Sequence, residues 1–196
     1  MQIVANLLVN GAVGVTVGGS STSVQYFPAV PGASIGVASP NYGIIAVPGS
    51  GRANGQNLSV RAVGNAVAPN DGTSPTFTVG LYAVINPSIV SNAMNLPTSP
   101  SVVSLAVPTP HAAAGLGITP FPWNFNAILN ADTASGILQG TYSVQIDNAA
   151  PVTGQISSQS GINMGNTIPF ALLIGVTFSQ SSAQNSATMF QFSLEQ

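Results

Sequence analysis

Charge is what this sequence most lacks. Of its 196 residues only 3% are Asp, Glu, Lys or Arg, against about 25% in an ordinary soluble domain. There is no lysine. Arg52 and Arg61 are the basic side chains, Asp71, Asp132, Asp147 and Glu195 are the acids, and the net charge is −2. Two separated arginines cannot form the row of cations that neutralises a phosphate backbone, which argues against nucleic acid as a partner. The same shortage argues against an anionic membrane surface. Cysteine is absent, which removes disulfides, thiolate nucleophiles and the usual zinc ligand sets. Long apolar runs are missing too: residues 169–178, the most apolar window, fall far short of the roughly 20 residues of a membrane-crossing helix. No basic segment precedes a sustained apolar stretch near Met1, so no secretory signal is expected.

What remains is apolar and rich in chain-turning residues. Hydrophobic side chains make up 45%, with 21 glycines, 15 prolines and a mean hydropathy of +0.40. Such a chain folds, and its length suits one β domain over residues 1–196. The period is that of strands. Leu58, Val60, Ala62, Gly64 and Ala66 alternate with Ser59, Arg61 and Asn65, which predicts a strand with one buried face. Phe77, Val79, Leu81, Ala83 and Ile85 alternate with Thr78, Gly80 and Tyr82 in an expected partner strand, across a turn-forming link at Pro69–Pro75. Residues 3–17 read as two short strands. Further strands are expected at 24–27, 42–47, 102–107 and 142–147.

The near-continuous apolar run from Ile168 to Phe178 predicts a central strand buried on both faces. At the end of the chain Thr188, Phe190, Phe192 and Leu194 should share one side, opposite Met189, Gln191 and Ser193. Residues 88–96 are open between a helical turn and an irregular crossover. His111–Gly115 is the best local helix candidate and is too short to be stable. Pro120–Phe125 reads as an aromatic corner that plugs one end of the core. About eight to ten short strands with minimal helix point to an antiparallel β-sandwich, specifically a jelly roll.

No arrangement of residues singles out a reaction. His111 would need one particular acid and one particular serine for a nucleophilic triad, and nothing in the sequence selects them. A pair of catalytic carboxylates would have to come from Asp71, Asp132, Asp147 and Glu195, of which Asp71 reads as a turn residue and Glu195 as a terminal one. Asn70–Thr73 offers oxygens without the acidic spacing of a calcium loop. No catalytic, cofactor-binding or metal residues, and no cofactor, are expected. Asn57–Ser59 matches a glycosylation sequon at the start of a strand and is read as chance. Trp123, flanked by Phe121 and Phe125, offers an alternative: an adhesin module stacking aromatics on sugar rings, with core packing as the simpler role.

Low charge has its own consequence, because β-proteins use charged side chains to protect sheet edges and to stay apart in solution. Much of this surface is therefore expected to be covered in an assembly. Arg52 or Arg61 could pair there with Asp132, Asp147 or Glu195 of a neighbour. The N-terminus without an expected signal, the Gly51–Ile85 strand pair, Phe170–Phe178, the closing Phe190–Leu194 strand and the Ser/Asn/Gly/Pro-rich joints resemble small virion structural proteins of tailed bacteriophages, of the capsid cement or decoration type. That resemblance implies a virion location on the capsid surface, a homodimer or homotrimer, and a major capsid protein as partner. Tail, collar or fibre-associated proteins are the neighbouring alternative. Whether the first 50 residues pack on their own subunit or reach a neighbour is open.

Overall fold

A computed structural model describes residues 3–8, 15–18, 22–27, 44–47, 55–68, 76–84, 88–90, 93–95, 102–108, 111–112, 119–132, 137–159 and 170–195. All regular structure among them is β. The strands are β1 (Ile3–Leu8), β2 (Val15–Gly18), β3 (Gln25–Tyr26), β4 (Ile44–Val47), β5 (Gln56–Val67), β6 (Thr76–Val84), β7 (Ser88–Val90) and β8 (Ala93–Asn95). They continue with β9 (Val102–Ala106), β10 (His111–Ala112), β11 (Phe121–Asp132), β12 (Ile137–Ile146), β13 (Val152–Gln159), β14 (Phe170–Phe178) and β15 (Ser186–Glu195).

Every pairing is antiparallel, and the pairings are nested. β1 and β2 pair with β15, β3 and β4 with β14, β5 with β11, and β6 with β9 and β10. First thus meets last, second meets second-last, and so inward, as in one long hairpin. Two further contacts, β15 with β5 and β14 with β6, roll that hairpin into two sheets. This is a jelly roll. The larger sheet has seven strands, in the order β1-β15-β5-β11-β12-β13 with β2 also on β15. The smaller has six, β10-β6-β14-β3 with β4 on β14 and β9 on β6. Beyond the roll itself, β12 and β13 extend the larger sheet past β11, and β7 and β8 form a small separate hairpin.

Aromatic side chains join the sheets. Phe77 of the smaller sheet lies 5.5 Å from Phe121 of the larger and 5.2 Å from Phe178, and all three are buried. Phe27 stacks on Trp123 at 5.8 Å. The alternation expected for 58–66 holds: Leu58, Val60, Ala62, Gly64 and Ala66 face the core, and Ser59 and Arg61 are exposed. β14 is central in its sheet, and Leu172, Leu173, Ile174 and Val176 are all buried.

Several expectations need correction. β5 and β6 are not partners but lie in opposite sheets. The link of residues 69–75 is too long and proline-rich for a tight hairpin turn, and both strands present apolar faces that can bury each other across the sandwich. The aromatic corner is the start of the twelve-residue strand β11, with Phe121, Trp123 and Phe125 alternating inward. Pro122 is tolerated because it precedes the last β11–β12 pair, Trp123 with Ile146. His111–Ala112 pairs with Phe77 and Thr76 as a strand, and residues 88–95 contain the β7–β8 hairpin. In β15 the register slips between Met189 and Gln191. Phe190 is the extra residue of that β-bulge, so Met189, Phe192 and Leu194 face the core, and Phe190 lies outside it, half-buried. The described strands of the first 50 residues pair within the chain, with β14 and β15. Ile35, Val37 and Ile85, the link at 69–75 and the helix candidate beyond Ala112 lie outside the described residues.

The outer face of the smaller sheet is also buried at its centre. Gly80 and Gly175 are directly opposed on β6 and β14, and the Tyr82 ring lies over the notch they leave. A Cβ at Gly175 would come within 2.8 Å of that ring and 2.9 Å of Val24. Tyr26 meets Tyr82 edge-on at 5.2 Å. Burial, then the neighbouring Tyr26 phenol, pushes the Tyr82 hydroxyl up to about 12. Between pH 10 and 12 the unfolded chain ionises this tyrosine while the folded chain resists. Stability should therefore be intact below about pH 10 and fall as pH rises toward about 12. Urea unfolding at pH 9 and pH 11.5 would show the fall, and Tyr82→Phe should reduce it. An equal fall in the variant would contradict the assignment.

Candidate binding face

The surface with most to offer a partner is the outer face of the larger sheet. Period-two alternation sends most polar residues of β5, β11, β12 and β13 to that side, and strand register lines them up in rows. One row runs Ser59, Ile128, Thr141, Gln155, and the next runs Arg61, Asn126, Ser143, Thr153. Ile128 stands 54% exposed in the middle of this polar field. Together these strands enclose a shallow groove of about 550 Å³, lined by Ser59, Asn126, Ile128, Thr141, Ser143, Thr153 and Gln155 with the residues between them.

An amide relay stiffens one side of the groove. Asn126 Nδ2 donates to Asn124 Oδ1 (3.3 Å), Asn124 Nδ2 to Gln145 Oε1 (3.4 Å), and Gln145 Nε2 to the Ala149 carbonyl (3.4 Å). The chain of bonds holds the Asn126 amide plane and leaves its oxygen free to accept. Across the sheet Asn130 Nδ2 donates to Asn57 Oδ1 and to the Gly55 carbonyl, at 3.2 and 3.1 Å.

Arg61 is exposed beside Asn126 and forms no ion pair among the described residues. On its other side lies Ser193, whose hydroxyl is buried without a hydrogen-bond partner. Glu195 is in register with Ser59, diagonal to Arg61. The other acids are far apart. Asp147 occupies the β12–β13 turn with φ of 53°, a left-handed conformation that Asp tolerates, and its amide donates to the Pro122 carbonyl at 2.7 Å. Asp132 closes the opposite end of β11, about 30 Å away at roughly 3.3 Å per residue. These two carboxylates cannot share a substrate bond. His111 lies in the other sheet, at its edge. Arg52, Asp71 and the 70–73 segment lie outside the described residues. Among the described residues no group of three or more His, Asp or Glu could hold a metal ion.

The sugar-stacking role of the aromatic triplet is overturned. Phe121 and Trp123 are 2% exposed and Phe125 0%, all inside the sandwich. What sequence reading missed is β13. Its Val-Thr-Gly-Gln-Ile-Ser-Ser-Gln has too few apolar residues to stand out, although Val152, Gly154 and Ile156 do alternate with polar partners. β13 is nonetheless one wall of the groove and the last strand of the larger sheet.

No family model and no curated protein matches the chain. Two solved structures are similar to it. One is a Lotus tetragonolobus seed lectin, 13% identical with a TM-score of 0.39, covering 96% of this chain and 94% of that one. The other is the alginate lyase from Klebsiella pneumoniae, 9% identical with a TM-score of 0.31, covering 72% of this chain and 60% of that one.

Proposed function

We propose that this protein is a non-enzymatic structural component of a bacteriophage particle, a cement or decoration protein that stabilises the capsid by bridging its subunits. It acts as a homodimer or homotrimer seated on the major capsid protein at the outside of the virion. The observation that carries this reading is the edge of the larger sheet. β13 is eight residues long, has no charged residue and no proline, and has no strand hydrogen-bonded to its outer side among the described residues. Soluble β-proteins protect such an edge with charge, proline or a bulge, because its free N–H and C=O groups otherwise recruit another chain; β13 has only a register slip near its end, between Ile156 and Gln159, and Val152–Ile156 is regular and uncharged. A strand of this length spans about 26 Å. It could contribute to the roughly 1,000 Å² that a specific interface needs. Surfaces meant to be covered gain from lacking charge, since no ion has to be desolvated.

The test begins with sedimentation of the purified chain over a wide concentration range. A dimer or trimer of constant mass is expected. Val152→Lys combined with Ser157→Lys, both on exposed positions of β13, should shift it to monomer and abolish rebinding to capsids stripped of their accessory proteins. A wild-type monomer that neither binds such shells nor raises their bursting temperature would refute the proposal. Finding the protein in the tail or collar would instead move it to another part of the particle.

A further inference from the structure

We infer that the groove on the outer face of the larger sheet is a binding site for a neutral oligosaccharide. This does not depend on the proposed role in a particle, and it relocates sugar recognition from Trp123, which is buried, to a different set of residues.

The groove has three properties that point to one kind of ligand. The first is unspent hydrogen-bonding capacity. Ser59, Thr141, Ser143, Thr153 and Gln155 make no side-chain hydrogen bond among the described residues, yet register places them on neighbouring strands facing the same way. Hydroxyls that both donate and accept, next to planar amides that present a donor and an acceptor side by side, suit a ligand carrying adjacent hydroxyl groups. Asn126 is already oriented by its relay to Asn124 and Gln145, so it loses little freedom on binding.

The second property is the apolar spot at the centre. Ile128 is 54% exposed between Ser59 and Thr141. An exposed isoleucine ringed by hydroxyls is poorly served by water and well served by the C–H face of a sugar ring, whose rim of hydroxyls would meet the surrounding polar groups. The third is charge. None of the groove-lining residues carries a charge, so nothing lining it offsets the desolvation of a charged ligand; Arg61, in register with Asn126, stands beside the groove and is not part of its lining. Four strands at about 4.8 Å spacing make the groove roughly 14 Å across, enough for a short oligosaccharide lying perpendicular to the strands. An extended peptide would be a poorer occupant, because it satisfies its backbone along a sheet edge rather than across a face of side chains.

The experiment uses the intact protein and saturation-transfer NMR with maltohexaose, cellohexaose, laminarihexaose and mannohexaose at millimolar concentration, with polygalacturonate as the charged comparator. At least one neutral oligosaccharide should receive saturation and shift the Ile128 methyl and Thr141 resonances. Ile128→Arg and Asn126→Ala should each weaken that binding at least tenfold. Both positions are solvent-facing, so the fold should survive, and an unchanged methyl spectrum of the core would verify it. Absence of binding by all four neutral probes would overturn the inference. So would binding that both variants retain, or binding confined to polygalacturonate and lost in Arg61→Gln.

Discussion

Trp123→Ala is expected to cost about 3–5 kcal/mol of stability, in the range seen when a large buried aromatic is truncated. The indole is 2% exposed, stacks on Phe27 and fills the space over Gly64, so its removal opens a cavity spanning both sheets. For a chain of this size that corresponds to a fall in Tm of about 6–20 °C. Trp123→Phe should cost much less. The indole Nε1 is buried with no hydrogen-bond partner, and such an orphan costs about 1–3 kcal/mol. Phenylalanine keeps part of the ring packing and relieves that cost. Trp123 is the single tryptophan, so unfolding must be followed by far-UV circular dichroism. An alanine variant as stable as the wild type would mean that the indole does not join the sheets.

Gly64→Val should cost about 3 kcal/mol, toward the upper end for overpacking. A Cβ at this position would overlap the Thr188 carbonyl oxygen and the six-membered ring of Trp123. The ring could shift. The carbonyl cannot, because Thr188 lies in β15 between two paired strands, in register with Asn65 of β5 and Thr16 of β2. Combining Gly64→Val with Trp123→Ala should therefore be less damaging than the sum of the two, by about 1 kcal/mol, since one of the two clashes has gone. Strict additivity in urea titrations would indicate that the carbonyl alone resists the side chain.

These two residues belong to a device used more than once. Gly64 is in register with Trp123, Gly154 is in register with Tyr142, and Gly80 and Gly175 lie beneath Tyr82. In each case an aromatic ring covers a strand glycine that has no side chain of its own to pack. The ring regains the contact area that glycine forfeits, and the glycine gives the ring a flat place to lie. Tyr142 stacks on Phe125 as well, at 6.2 Å, which ties the groove-bearing part of the sheet to the core. Rigid backing of this kind is what a binding face needs, whether its ligand is a protein neighbour or a sugar.

A jelly roll carries many functions, and fold by itself selects none. Weight therefore falls on the surface. The proposed assembly role uses the uncharged edge at β13, and the proposed sugar site uses the face behind it. The two share a strand but rest on different residues: Val152 and Ser157 for the edge, Ile128 and Asn126 for the groove.

Much of this was legible in the sequence. The all-β class, the inward sets of β5 and β6 and the doubly buried β14 follow from side-chain alternation, which is a local property of a strand. The scarcity of charge, and with it the unlikeness to a nucleic-acid binder, is composition alone. The partner of each strand was not legible. A period of two says which residues share a face, but not which strand lies alongside, and β5 pairs with β11 and β15 while its sequence neighbour β6 lies in the opposite sheet. The bulge at Phe190 escaped for a related reason: one extra residue reverses inside and outside for half a strand, and only the register against β5 reveals it. The groove escaped because its residues come from four strands and each looks like ordinary solvent-facing polarity until pairing places them in rows. Local chemistry determined what kind of strand each segment would be. Long-range packing, which alone can bury Trp123 against Phe27 and line up Ser59 with Gln155, decided what those strands would build.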